Sequence, residues 1–243
     1  MLFRSGTSTV TNAVNITVGG TATVNNVFGG GSYSSTSDGA PSVGNGVNIT
    51  VTGGSIANNI FAAGQNQYST VTGDVRVTFT GSNDYTCNVY GYGVQSSATT
   101  GGDKALTFSG YTGTLSGNIG GFDGIVVSGD TTATLSGATI DNADWTFDFT
   151  ERTLAADTVA LTLVNGISTE EELTLTLKLS GDVPATDWSL ATGVGDIAGA
   201  LSGYEVYVGD VELEFASGLV VSGDYAGWGF AIEDTTLKFK HLA

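Results

Sequence analysis

Enzyme chemistry needs a base, a nucleophile or converging carboxylates, and this sequence is thinly supplied with all three. The only histidine, His241, stands close to the C-terminus, where chains fray, so a histidine-based triad has no secure centre. The only cysteine, Cys87, directly precedes Asn88, where parallel phrases carry Asn25, Asn58 and Gly117. A small residue at a chain corner fits that place better than a nucleophile, and a single cysteine forbids an internal disulfide. Glycosidase chemistry needs two carboxylates flanking a cleft at fixed separation. Most acids here instead follow glycine in turn settings: SGD at Asp130, Asp182 and Asp224, and VGD at Asp196 and Asp210. Glu170, Glu171 and Glu172 open a strand and read as a solvated edge.

A lyase built on stacked coils would need acidic calcium ligands and a basic residue along one strand face. The repeats offer Arg4, Arg76 and Lys104, one per region and out of register. Oxygen-rich acidic turns leave calcium open as a cofactor, but neither a D-x-[DN]-x-[DN]-G loop nor a G-G-x-G-x-D series is present. Flat T-x-T faces can bind ice, and Thr21, Thr23, Thr50, Thr52, Thr78, Thr80, Thr112 and Thr114 suggest one, yet their spacing does not give a single ladder. No catalytic, cofactor-binding or metal-ligating residue is assigned.

The elements behind these residues are repeats. VNITVGGTATVNNVFGGG (14–31), VNITVTGGSIANNIFAAG (47–64), VRVTFTGSNDYTCNVYGYG (75–93) and ALTFSGYTGTLSGNIGGF (105–122) align on Asn26, Asn59, Asn88 and Asn118, spaced by 33, 29 and 30 residues. Each Asn is followed by an aliphatic residue, then by small residues and an aromatic. Ahead of it lies a period-2 segment, as in Val47, Ile49 and Val51, which reads as a strand with one buried face. A unit of about 30 residues with short strands, glycine corners and no helix signal is one coil of a parallel β-solenoid. Stacking coils puts the Asn side chains in a hydrogen-bonded ladder. An antiparallel sandwich of similar hairpins is the alternative. The run 124–140 reads as a last, tighter coil.

Composition changes near residue 140. The chain carries 24 acidic and 7 basic residues, net −17; residues 1–140 hold 6 acids and 3 bases, and 141–243 hold 18 and 4. Trp145, Trp188 and Trp228 all lie in the second part and read as core anchors. Its alternating segments, among them 158–164, 172–179, 204–215, 227–234 and 235–243, read as hairpin-connected antiparallel strands, with a turn at 208–210. The expected architecture is all-β: a right-handed parallel β-helix of four to five coils over 1–140, then an acidic antiparallel β cap or small β-sandwich over 141–243, protecting the open end.

The acidity disfavours nucleic acid, anionic lipid and anionic polysaccharide. No apolar run is long enough to span a membrane as a helix, and "MLFRSGTSTV" lacks the apolar core of a signal peptide. Either the protein is cytosolic or, as the favoured expectation, it is a piece of an exported protein whose signal lies upstream. The repeats, the bridge IGGFDGIVVSGDTTATLSG and the ending GDYAGWGFAIEDTTLKFKHLA resemble bacterial autotransporter-like and adhesin-like β-helical surface proteins. That resemblance implies export, a right-handed β-helix and a place at the cell surface. The function expected is non-enzymatic: an adhesin-like or structural stalk displaying loops, among them the 31–46 insert, to a glycan or a neighbouring cell's protein. Self-association through the open solenoid end is a further expectation. The alternative is a carbohydrate-active β-helix, lyase or hydrolase, which requires a groove with close carboxylates, or carboxylates beside a basic residue.

Overall fold

The computed structural model describes residues 9–31, 42–65, 70–94, 101–138, 140, 143–166, 173–195 and 201–242. Most of the 31–46 insert lies outside them, as do Arg4, Glu170, Glu171, Glu172 and Asp196. Among the described residues there is no helix; parallel sheets stack into a β-solenoid of about six turns, with antiparallel strands at the C-terminal end.

Among the described residues the main wall has nine strands. Val14–Val18, Val47–Val51, Val75–Gly81, Lys104–Tyr111, Gly124–Ser128, Asp144–Phe149, Leu173–Leu179 and Leu201–Val208 pair in that order, each parallel to the next. Val211–Glu212 closes the wall as an antiparallel hairpin. Period-2 patterning decides which side faces in. Val47, Ile49, Val51, Val75, Val77 and Phe79 are 0% exposed, and each such side chain contributes roughly 1.5–3 kcal/mol of burial. Rings extend this core: Phe79 packs on Phe108 at 5.9 Å and on Tyr85 at 5.4 Å. Tyr111 packs on Phe79 at 5.8 Å and donates its hydroxyl to Asn83 O at 2.7 Å.

A second wall joins Thr23–Phe28, Ser55–Phe61, Asn88–Tyr90 and Ile119–Gly120, all parallel. The expected Asn ladder is there. Asn59 Nδ2 donates to Asn26 Oδ1 at 3.2 Å, and Asn88 Nδ2 donates to Asn59 Oδ1 at 2.9 Å. At the fourth copy the backbone N–H of Asn118 donates to Asn88 Oδ1 at 2.9 Å. A second amide pair, Asn48 to Asn15 at 3.0 Å, sits on the main wall. Beside the ladder Phe28, Phe61, Tyr90 and Tyr92 stack at 5.6, 5.4 and 5.1 Å between centroids. The ring planes lie within 7–22° of parallel, so the rings cover one another's faces. Coils touch closely at the corner before this wall: a Cβ on Gly117 would meet Cys87 O at 1.9 Å.

Parallel stacking does not stop near 140. Leu161–Leu163 pairs parallel with both Ala133–Leu135 and Trp188–Thr192, and Leu173–Leu179 is parallel to both its neighbours. The segments 158–164 and 172–179 and the first part of 204–215, expected to be antiparallel, are therefore further rungs of the solenoid. Alternation is the same in either pairing, and the polar turns between these segments are corners of a coil rather than hairpins. The coil including 124–140 is indeed short, its main-wall strand sitting 20 residues before the next, but it is not the last. Among the described residues antiparallel pairing is confined to the end: Thr236–His241 runs against Trp188–Thr192 and against Trp228–Glu233, and hairpins close at 208–211, 216–219 and 233–236. The turn expected at 208–210 is the first of these.

Trp145, Trp188 and Trp228 are 3, 8 and 6% exposed, as expected of core anchors. Arg152 fastens a corner. Its guanidinium lies 4.7 Å from the Phe149 ring centroid and donates to the carbonyls of Gly129, Thr131 and Thr158. The threonines are more ordered than their spacing suggested. Thr17, Thr50, Thr78 and Thr107 fall in one outward column of the main wall, which passes Val126 and resumes at Thr146 and Thr176. Thr114 belongs to another wall, aligned with Thr134, Thr162, Thr192 and Thr236.

Candidate binding groove

The last rungs of the main wall carry charge on the face where earlier rungs carry hydroxyls. Asp144–Phe149, Leu173–Leu179 and Leu201–Val208 point Leu, Phe, Trp and Val inward, which leaves the alternate positions outward. Parallel register sets these in two columns: Thr146, Thr176 and Glu205 in one, Asp148, Lys178 and Tyr207 in the next. The 208–211 hairpin brings Gly209 and Asp210 alongside. With Thr150 these residues line an open groove of about 600 Å³.

Its hydrogen bonds are already partly arranged. Glu205 Oε2 accepts from the Tyr207 hydroxyl at 3.3 Å and from Thr176 Oγ1 at 3.4 Å. Asp148 Oδ1 accepts from Thr150 Oγ1 at 2.6 Å and from the Thr150 backbone N–H at 3.2 Å. Loss of contact with water, followed by the charges of Glu205 and Glu212, pushes the Tyr207 phenol above its ordinary range.

Lys178 stands between Asp148 and Tyr207 in register. Among the described residues it is the one Lys or Arg that makes no ion pair and no side-chain hydrogen bond. Arg76 is held by Asp74, Lys104 by Asp123, and Lys238 and Lys240 by Glu233, while Arg152 spends its donors on carbonyls. A lysine with three free donors, flanked by carboxylates and hydroxyls in a concave polar surface, is equipped to hold a hydroxyl-rich ligand.

The residues weighed from sequence fall elsewhere. His241 is exposed at the end of the last strand, edge-on to Trp228 at 6.4 Å between ring centroids. Cys87 is fully buried, and burial pushes its thiol up to about 11. Asp130 binds a loop, accepting from the backbone N–H groups of Thr153 at 2.6 Å and Leu154 at 3.1 Å. Asp182 and Asp224 are exposed, Arg76 and Lys104 sit in ion pairs far up the wall, and only Asp210 reaches the groove. No group of three metal-ligating side chains converges among the described residues.

The sequence reading missed Asp148, Lys178, Glu205 and Tyr207. Their signal is present: aligning Thr146 with Thr176 and Glu205 puts Asp148, Lys178 and Tyr207 two residues further on in each strand. Antiparallel pairing of the same segments scrambles that alignment. No protein-family model matches the sequence, and no curated protein and no solved structure was found to match it.

Proposed function

We propose that this chain is a non-enzymatic recognition segment of an exported bacterial surface protein, its solenoid serving as a stalk and its groove as the site that holds a glycan. The carrying observation is the groove itself, where the unpaired Lys178 stands among Asp148, Glu205, Tyr207 and three threonines. Carboxylates each accept from sugar hydroxyls, and Lys178 donates to ring or hydroxyl oxygens. Three acids close to one lysine, on a chain of net −17, repel anionic ligands, so a neutral glycan fits best. An adhesin-like role at the cell surface follows from this reading, as does the absence of nucleic acid from the partners.

The carbohydrate-active alternative also draws on this groove, since carboxylates lie beside a lysine there. Two features favour binding. Tyr207, the phenol a lyase would use as its base, is a donor to Glu205, and Asp148 and Glu205 each already accept hydrogen bonds from neighbouring hydroxyls. A screen of the purified chain against a glycan array, with and without millimolar calcium, tests the reading. Saturable binding to neutral glycans with no product formed is expected. Release of reducing ends or unsaturated sugars would overturn the non-enzymatic reading.

A further inference from the structure

The groove is where a longer feature ends. Its first column, Thr146, Thr176 and Glu205, continues up the main wall in unbroken register through Val126, Thr107, Thr78, Thr50 and Thr17. Each step is one rung, about 4.8 Å, so the column runs along the solenoid axis. Its middle is clear on both sides. On their own strands Thr107 and Val126 have small outward neighbours, Ala105 and Gly124 two residues before and Ser109 and Ser128 two residues after. The backbone beneath is spent on the parallel ladder, which leaves side-chain hydroxyls and methyls as the outward contacts.

We infer that the main wall takes an extended polysaccharide chain laid along the solenoid axis, with its neutral sugars over the threonine column and one end seated in the groove. This rests on the glycan reading of the groove and adds the ligand's class and direction. An extended chain of equatorially linked pyranoses advances per sugar by close to one rung, so each further unit reaches a further rung of the column. Each threonine offers a hydroxyl to a sugar hydroxyl and a methyl to the ring's C–H face. A peptide strand would want either an open sheet edge or apolar pockets, and this face offers neither.

Calorimetric titrations with cellulose-, glucomannan- and xylan-derived oligosaccharides, each at two and at eight units, separate the possibilities. The inference expects an eight-unit chain from this panel to bind at least about tenfold more tightly than its two-unit form. Thr107→Arg, far from the groove, should bring the eight-unit affinity down to the two-unit value. Thr134→Arg, at an outward position on the other wall, should leave the length dependence in place. Equal affinity for two and eight units would overturn the axial track and leave the groove as the glycan site. Binding to no member of the panel would overturn both.

Discussion

Asn59 is held from above and below, donating to Asn26 and accepting from Asn88. Truncating it strands the Asn88 amide in a half-buried position, so Asn59→Ala should cost about 1–2 kcal/mol, read from denaturant unfolding. An unchanged midpoint would mean that the ladder is decoration rather than support. Cys87 makes an opposite prediction about reactivity. The thiolate is the reactive form, and burial holds this thiol near 11. A thiol reagent at neutral pH should therefore modify Cys87 only at the rate at which the solenoid opens, and rapidly in denaturant. At this scale the sequence was readable wherever a residue recurs at a fixed place in every copy, as the Asn does. Lys178 occurs once, so no repeat announces it, and its importance comes from the partners it lacks.

Rungs of the main wall differ in length and surface but share an inward row of Val, Ile, Leu and aromatics, and that row sets their register. The strands beyond 140 keep the row while their outward positions gain charge, at Asp148, Lys178 and Glu205, and a change in surface reads in the sequence as a change in architecture. Thr-x-Thr-x patterns such as LTLTLKL (173–179) look alike in hairpins and in coils. What distinguishes them is the partner about 30 residues away, as in Trp145 to Leu175 or Leu175 to Tyr204. Cross-linking tests this element directly. Thr146 and Thr176 face each other across a parallel pair, where Cα atoms lie about 4.8 Å apart, inside disulfide range. A Thr146→Cys/Thr176→Cys variant should close under mild oxidation without loss of β-sheet signal. Failure to close in a folded variant would restore the antiparallel pairing.

Across the whole molecule charge collects where the solenoid ends. Residues 141–243 hold 18 of the 24 acids, and the final hairpin ties one of them down with two lysines. Lys240 first, then Lys238, hold the Glu233 carboxyl at about 2, against an ordinary 4.5. A carboxyl depressed by folding stabilises above its unfolded value, and that stabilisation is lost as pH falls from 4.5 toward 2. Glu233→Gln should melt below the unmodified chain at neutral pH, and the gap should close across that window. A gap that persists at pH 2 would assign the effect to packing. The same end of the molecule carries the groove, so stacking, capping and the proposed recognition site converge on the last three rungs.

The proposed glycan site on those rungs centres on Lys178, and a titration of Lys178→Ala against the best glycan ligand tests it most directly. A charge-assisted hydrogen bond contributes about 1.5–3 kcal/mol, so the loss of Lys178 should weaken binding roughly 10- to 150-fold while the melting temperature holds. Unchanged affinity in the folded variant would contradict the assignment and move the site away from the groove.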